Sequence, residues 1–124
     1  MTVWLRPLLL LIAAITVLTG LTQLVAPAWG LSWIARGSSA LSAQFFATVG
    51  MFMIITGAMF FQSLATGSRE RVIPFWIGVQ KAAACLLVAL AVIHGLMSPL
   101  AIAVAAFDGL TAVITFRFWR QLRP

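Results

Sequence analysis

The stretch AQFFATVGMFMIITGAMFFQSLA, residues 43–65, runs without a single charged side chain. About 20 consecutive apolar residues in a helix are enough to cross the hydrocarbon core of a bilayer. Lipid offers no hydrogen-bonding partner to a bare backbone, so an isolated spanning segment has to be helical. Residues 43–65 therefore predict a transmembrane helix, and this run decides how the rest of the chain is interpreted.

The composition extends the interpretation to the whole chain. Hydrophobic residues make up 63% of the 124 residues and charged residues 8%, whereas about a quarter of the residues in a soluble domain are charged. At about 20 residues per span, the chain has room for about four spans and for no separate soluble domain. We predict an all-α, polytopic membrane protein that forms one domain over residues 1–124 and has the lipid bilayer as its surroundings.

We predict four transmembrane helices packed as a bundle, over residues 7–26, 43–65, 74–96 and 99–116. Between the first two spans, the sequence PAWGLSWIARGSS places Trp29 and Trp33 four residues apart, with Arg36 after them. This pattern is typical of a short helix that lies at the membrane interface. Ser39 and Ser42 then offer N-caps for the second span.

The first apolar run has an alternative interpretation. Arg6 precedes a leucine-rich stretch, and APA at residues 26–28 resembles the cleavage site of a secretory signal peptide. The hydrophobic region of a signal peptide is about 7–15 residues long, which is shorter than the apolar run over residues 7–26. The length therefore favours a retained transmembrane helix.

The distribution of basic residues predicts the orientation of the bundle. With four spans, both termini and the link between the second and third spans lie on one side of the membrane. That side carries Arg6, Arg69, Arg71, Arg117, Arg120 and Arg123, and the other side carries Arg36. Positive charge is enriched on the cytoplasmic side, so we expect both termini in the cytoplasm, most simply at a bacterial inner membrane. Because these residues flank apolar runs, we interpret the net charge of +6 as a topology signal and predict no nucleic-acid partner.

Asp108 is the polar residue that the fourth span has to accommodate. It lies nine residues from both Pro99 and Arg117, and a central aspartate costs about 2.5–3.5 kcal/mol to insert. We therefore expect Asp108 to face the interior of the bundle, with Thr111 and Thr115 on the same helical stripe. A buried aspartate of this kind is either a polar link that fixes packing or a functional carboxylate.

Two kinds of partner are open to Asp108. If the chain reverses near Met97, Asp108 lies level with residues 86–88, well past Lys81. Side chains also lean towards the N-terminus of their own helix, so these two lean apart. We expect Lys81 to extend towards the cytoplasmic interface and the hydroxyls of Thr16, Thr19 or Thr56 to meet Asp108, with a direct contact to Lys81 as the alternative.

The second span carries a stripe of polar and methionine residues at helical spacing. Its members are Gln44, Thr48, Met51, Ile55, Met59 and Gln62. Since lipid gives polar groups no reason to face outwards, we expect this stripe to face the bundle. Met51 and Met59 are favoured as fillers of packing gaps, and the alternative is a pocket for a quinone or a lipid tail.

Several chemistries find no support in the sequence. No Ser, His and Asp set, no H-E-x-x-H motif and no phosphate loop is present. The other acid, Glu70, is expected at the N-terminus of the third span, far from Asp108. One histidine and one cysteine cannot build a bis-histidine haem site or a cysteine metal site within the chain. We predict no cofactor and no metal, and the sequence leans against an enzyme.

Four segments resemble the small bacterial four-helix membrane proteins called DoxX-like: GLTQLVAP, VGMFMIITGAMFF, WIGVQKAAACLLVAL and AAFDGLTAVITFRFW. The similarity covers most of the chain. Some DoxX-type proteins are subunits of membrane oxidoreductases, so the resemblance implies at most a quinone-linked association. It brings no active-site motif that can be placed on numbered residues of this sequence.

These observations favour a protein that works by association, as an accessory subunit of a larger membrane complex or as a homo-oligomer. The alternative is a binder or carrier of a hydrophobic or protonatable small molecule, such as a quinone or a lipid, near Asp108. A membrane enzyme or proton path would need a second titratable group close to Asp108, from Lys81 or from another chain.

Overall fold

The computed structural model describes residues 3–122 and contains five helices. They are α1 Leu5–Val25, α2 Pro27–Ile34, α3 Ala40–Ala65, α4 Val72–Ile93 and α5 Ala101–Gln121. Helices α1, α3, α4 and α5 are each long and apolar enough to cross a membrane, and α2 is the short helix expected between the first two spans. The prediction of an all-α fold with four spans is confirmed.

Helices α3 and α4 begin at caps that the sequence indicated. Ser39 caps α3, and its side chain and that of Ser42 each accept a hydrogen bond from the other's backbone N–H. The Glu70 carboxylate accepts hydrogen bonds from the backbone N–H groups of Val72 and Ile73. Each cap satisfies N–H groups that have no partner within the helix.

Glycine ends α3 and α4. Gly67 and Gly95 have φ values of 68° and 74°, a left-handed conformation that costs glycine little. After α4, the N–H of Gly95 donates to the carbonyl of Val92 and the N–H of Leu96 to that of Ala91, which is the Schellman pattern. Helix α4 therefore ends at Ile93, three residues before the end of the predicted span.

The fourth span is longer than predicted at its C-terminal end. The expected boundary at residue 116 was placed where arginines begin, but α5 continues to Gln121. Arginine is a good helix former, so the charges mark where the side chains leave an apolar environment and do not mark the end of the helix.

Helices α1 and α3 form one antiparallel hairpin, in which the two backbones touch. A Cβ atom added to Gly20 would lie 2.6 Å from the carbonyl oxygen of Gly50, and one added to Gly50 would lie 2.5 Å from that of Gly20. At Gly57 an added Cβ would lie 2.9 Å from Cγ2 of Val17. Small residues at these positions allow the close approach that stabilises helix pairs in lipid.

Helices α4 and α5 form the second hairpin, in which side chains fill the space between the backbones. An added Cβ on Gly78 would lie 2.8 Å from the Phe116 ring, and one on Gly109 would lie 2.9 Å from Sγ of Cys85. Position 109 is thus opposite position 85, which confirms the predicted register and places Asp108 level with Leu86.

The two hairpins join at both ends of the bundle. At one end, a buried cluster draws on all four spans: Leu5, Leu9, Ile12, Ala13, Phe60, Leu64, Ile77, Phe118 and Leu122. Arg6 also donates there to the carbonyl oxygens of Leu64 and Ser68, at 2.9 and 3.1 Å. We call this the arginine-rich end, because it also holds Arg69, Arg71, Arg117 and Arg120; Arg123 lies outside the described residues.

At the opposite end, the link after α2 pairs with the link between α4 and α5. The backbone N–H of Arg36 donates to the carbonyl of Leu96, and that of Ser98 donates to the carbonyl of Ile34 at 2.7 Å. Each span therefore runs antiparallel to the next, and the arginines among residues 3–122 lie at the two ends as the sequence predicted.

Candidate functional site

Lys81 lies near the middle of α4 and is buried, with 8% of its surface exposed. Its Nζ donates to Oγ1 of Thr16 at 3.1 Å and lies 3.6 Å from Oδ1 of Asp108. The second distance is that of an ion pair and is longer than a hydrogen bond. The expectation that Lys81 extends towards the interface was wrong, and the alternative of a direct contact with Asp108 is correct.

The predicted register was right even though the predicted contact was not. Asp108 lies level with Leu86, five residues beyond Lys81, which corresponds to about 7.5 Å along the helix axis. The four-carbon stem of a lysine can cover most of that offset. Leaning towards the helix N-terminus is a rotamer preference, and it is outweighed here because an unpaired charge is far more costly in an apolar interior.

Thr16 is oriented so that it can accept from the ammonium group. Its Oγ1 donates to the carbonyl oxygen of Ile12 at 3.0 Å, which leaves its lone pairs to receive the hydrogen bond from Lys81. Thr19, the other threonine expected here, is exposed on the surface of α1 and was wrongly assigned to the site. Being three residues from Thr16, it lies at the edge of the buried face and not in it.

Gln80, the neighbour of Lys81 in the sequence, connects α4 to α3. Its Nε2 donates to Oγ1 of Thr56 at 3.4 Å, and Thr56 in turn donates to the carbonyl of Phe52 at 2.8 Å. Thr56 was expected as a partner of Asp108 and is instead a partner of Gln80. Gln80 was not among the predicted site residues, although its position next to Lys81 was a usable signal.

Five side chains from all four spans thus form a polar layer across the middle of the bundle. The polar layer consists of Thr16, Thr56, Gln80, Lys81 and Asp108. Hydrogen bonds between spans contribute on average about 0.6 kcal/mol each in membrane proteins, and pairing offsets part of the cost of burying the two charges. Two hydrogen bonds of the layer, from Lys81 to Thr16 and from Gln80 to Thr56, join the two hairpins.

Thr111 and Thr115 face inwards, as the helical stripe predicted. They are 1% and 0% exposed. No hydrogen-bond partner is present for Oγ1 of Thr115 among residues 3–122, and no hydrogen bond joins either threonine to Asp108 there. These two residues pack beside the polar layer without belonging to it.

The space beside the polar layer is small. A cavity of about 10 Å³ is bordered by Thr16, Thr56, Gln80, Lys81 and Thr111, together with apolar residues of α1, α3 and α4. That volume is close to the minimum for one water molecule, whereas pockets for small organic ligands measure about 300–1,000 Å³. As packed in this structure, the polar layer has no room for a quinone or a lipid tail.

The stripe expected to face inwards on α3 faces outwards. Met51, Ile55 and Met59 are 36%, 58% and 40% exposed; Gln44 and Gln62 are exposed as well, and Thr48 is half-buried. Ile55 lies five residues from Gly50, which places it about 140° around the helix. Because Gly50 has to face α1, the stripe is turned away from that helix.

The chemistry available to the polar layer is that of one ammonium and one carboxylate. Among residues 3–122, no group of three or more histidine, cysteine, aspartate or glutamate side chains is placed to hold a metal ion. The free thiol of Cys85 packs against Gly109. Comparison of the chain with protein-family profiles, with curated proteins and with solved structures finds no match.

Proposed function

We propose that this chain is a small integral membrane protein that acts by association, as an accessory subunit of a larger membrane complex or as a homo-oligomer. The observation that carries the proposal is the outward stripe of α3. Its methionines are well exposed, and the glutamines at its two ends are exposed too. Amide side chains hydrogen-bond across helices in membranes, and methionine adapts to irregular surfaces.

The polar layer supports the same proposal. Its charges find their partners within the chain, and the cavity beside it measures about 10 Å³. Close packing of this kind favours a structural role for Asp108 over a ligand-binding role. The carrier of a hydrophobic or protonatable molecule therefore ranks second, since it would require the hairpins to separate around the ion pair.

The orientation is part of the proposal. Tryptophans near both ends of the bundle are exposed: Trp4 and Trp76 at the arginine-rich end, and Trp29 and Trp33 at the opposite end. This is the distribution of aromatic belts at two membrane interfaces. Placing the arginine-rich end in the cytoplasm follows the positive-inside rule and would suit a bacterial inner membrane. The resemblance to DoxX-like proteins suggests a membrane oxidoreductase as a partner.

The proposal is tested by disturbing the stripe and a matched lipid-facing position. Ile55→Trp adds bulk at the centre of the stripe, and Leu87→Trp adds comparable bulk at a residue of α4 that is 64% exposed. After extraction into nanodiscs, we expect the wild type and Leu87→Trp to retain a second protein chain. We expect Ile55→Trp to lose most of it, because overpacking an interface costs about 1–3 kcal/mol.

Two outcomes would contradict the proposal. One is a wild-type protein that is monomeric in nanodiscs and brings no other protein with it. The other is equal retention of the partner by Ile55→Trp and Leu87→Trp, which would place any association on another face of the bundle.

A further inference from the structure

Four of the arginines at the arginine-rich end form two pairs that differ in their contacts. Arg6 hydrogen-bonds to two backbone carbonyls and lies 5.1 Å from the centre of the Phe118 ring. Arg71 lies 4.4 Å from the centre of the Trp119 ring. Arg117 and Arg120 are exposed and have no ion pair, hydrogen bond or ring contact within residues 3–122. Their guanidinium groups are therefore unpaired within the described part of the chain.

Arg117 and Arg120 line an open groove of about 780 Å³ at the end of α5. Its other lining residues are Val113, Phe116 and Gln121. Residues three or four positions apart are neighbours on a helix surface, with Cβ atoms about 5–6 Å apart. The two guanidinium groups are therefore close enough to meet at one anion.

The groove is lined by charged side chains at one end and by apolar side chains at the other. Val113 lies one turn before Arg117 and is 66% exposed, and Leu110 lies a further turn away and is 63% exposed. Phe116 forms the wall beside them, and the centre of its ring lies 6.0 Å from that of Phe75. One end of the groove is thus cationic and the other leads onto an apolar, lipid-facing surface.

Among residues 3–122, neither acid is paired with Arg117 or Arg120. Glu70 is the acid at this end of the bundle in the described residues, and its carboxylate accepts from the first backbone N–H groups of α4. Asp108 is engaged with Lys81 in the polar layer. An arginine fork matches the oxygens of a phosphate and binds them through parallel hydrogen bonds.

We propose that Arg117 and Arg120 bind the phosphate of one anionic phospholipid, whose acyl chain lies along Val113 and Leu110. The head group is selected by its charge, and the apolar stretch of the groove distinguishes a lipid from a free phosphate ion. This site is independent of the partner surface on α3.

The experiment measures which lipid the protein keeps. The full chain is placed in vesicles with equal amounts of a zwitterionic and an anionic phospholipid, extracted gently, and analysed by native mass spectrometry. We expect the wild type to retain one anionic phospholipid. In Arg117→Gln/Arg120→Gln we expect retention to be about 30-fold weaker, because each cation near an anionic surface contributes about fivefold.

Two control variants distinguish a specific lipid site at Arg117 and Arg120 from a general attraction between the basic residues of this end and anionic lipid. Arg69→Gln removes an exposed charge at the same end but outside the groove, and we expect wild-type retention. Arg117→Lys/Arg120→Lys keeps both charges but loses the guanidinium groups that form parallel hydrogen bonds to a phosphate. We expect this variant to retain the anionic phospholipid several-fold more weakly. All of these side chains are exposed, so unchanged helicity and thermal unfolding are expected throughout.

The proposal is overturned if Arg117→Gln/Arg120→Gln keeps the anionic phospholipid as well as the wild type. It is equally overturned if Arg69→Gln loses as much lipid, or if the double lysine variant loses none. Retention of an acidic protein in place of a lipid, lost only in the glutamine variant, would assign the groove to a protein partner instead.

Discussion

The two hairpins reach the same antiparallel arrangement by different means. In α1–α3, Gly20 and Gly50 bring the two backbones into contact. In α4–α5, aromatic rings fill the gap, with Phe75, Phe116 and Trp119 in mutual contact near the arginine-rich end. Lipid provides no hydrophobic driving force between helices, so each pair depends on van der Waals packing and polar contacts.

The two hairpins are expected to differ in how much added side-chain volume they tolerate. A carbonyl oxygen at a backbone contact cannot move without moving a helix, whereas the tip of an aromatic side chain can shift within its site. The first hairpin is therefore expected to be intolerant of added volume and the second to accommodate it. The donors Gln80 and Lys81 belong to the tolerant hairpin, and the hydroxyls that accept from them, on Thr56 and Thr16, belong to the rigid one.

The largest effect is expected where the hairpins are joined by charge. Lys81→Met keeps the length of the side chain but leaves Asp108 without its ion pair. Breaking a buried pair by removing one partner costs about 3–5 kcal/mol, and we expect a loss of about that size in the free energy of unfolding in detergent micelles. Lys81→Met/Asp108→Leu removes both charges and is expected to recover most of the loss. No recovery in the double variant would show that Lys81 stabilises the fold by another route.

A smaller but still substantial effect is expected at the backbone contact. Gly50→Ala would place a Cβ 2.5 Å from the carbonyl oxygen of Gly20 and 2.7 Å from Cβ of Gln23. We expect a loss of about 2–3 kcal/mol in the free energy of unfolding, near the upper range for overpacking. Gly37→Ala is the control, because a Cβ there would meet nothing within 4 Å. Equal stability of the two variants would refute a backbone contact.

The hydrogen bond between the hairpins is expected to contribute less. Thr16→Val removes the hydroxyl that accepts from Lys81, and we expect a loss of about 1 kcal/mol, within the range measured for such bonds in membrane proteins. Thr22→Val is the matched control, since Thr22 makes the same bond to its own helix, to the carbonyl of Leu18, but is exposed. A loss as large in Thr22→Val would mean that the hydroxyl acts within its helix and not between helices.

The smallest effect is expected at the glycine of the second hairpin. In Gly78→Ala the new Cβ would lie 2.8 Å from the tip of the Phe116 ring, which can shift. Alanine also gains up to about 1 kcal/mol of helix propensity over glycine, so the net change is expected to stay below about 1 kcal/mol. Thermal unfolding of Gly78→Ala beside Gly50→Ala checks the comparison directly, and a loss as large as that at Gly50 would remove the distinction between the hairpins.

The spans could be predicted from the sequence because apolar length is a local property. The inward positions of Thr111 and Thr115 also followed from helical spacing. The register of the second hairpin was predictable because the link between its helices is short. Each of these inferences uses residues close together in the chain.

The wrong predictions concern which side chains face the bundle. In a membrane, the surroundings of the protein are as apolar as its interior, so polarity does not separate buried from exposed positions. The stripe of α3 was placed inwards because it carries glutamine and methionine, but the face that contacts α1 is selected by size, through Gly50 and Gly57. In lipid both faces of a helix are apolar, so polarity alone does not identify the packed face. The contact of Lys81 was missed for a related reason, since a rotamer preference was given more weight than the cost of an isolated charge.

The location of both charges on the second hairpin has a consequence for how the protein enters the membrane. A lysine or an aspartate at the centre of a lone helix raises the free energy of insertion by about 2.5–3.5 kcal/mol. Lys81 and Asp108 lie on helices joined by a link of seven residues, 94–100, so each charge meets its counter-charge within the segment being inserted. The hairpin α4–α5 can thus become neutral at its centre before it docks on α1–α3.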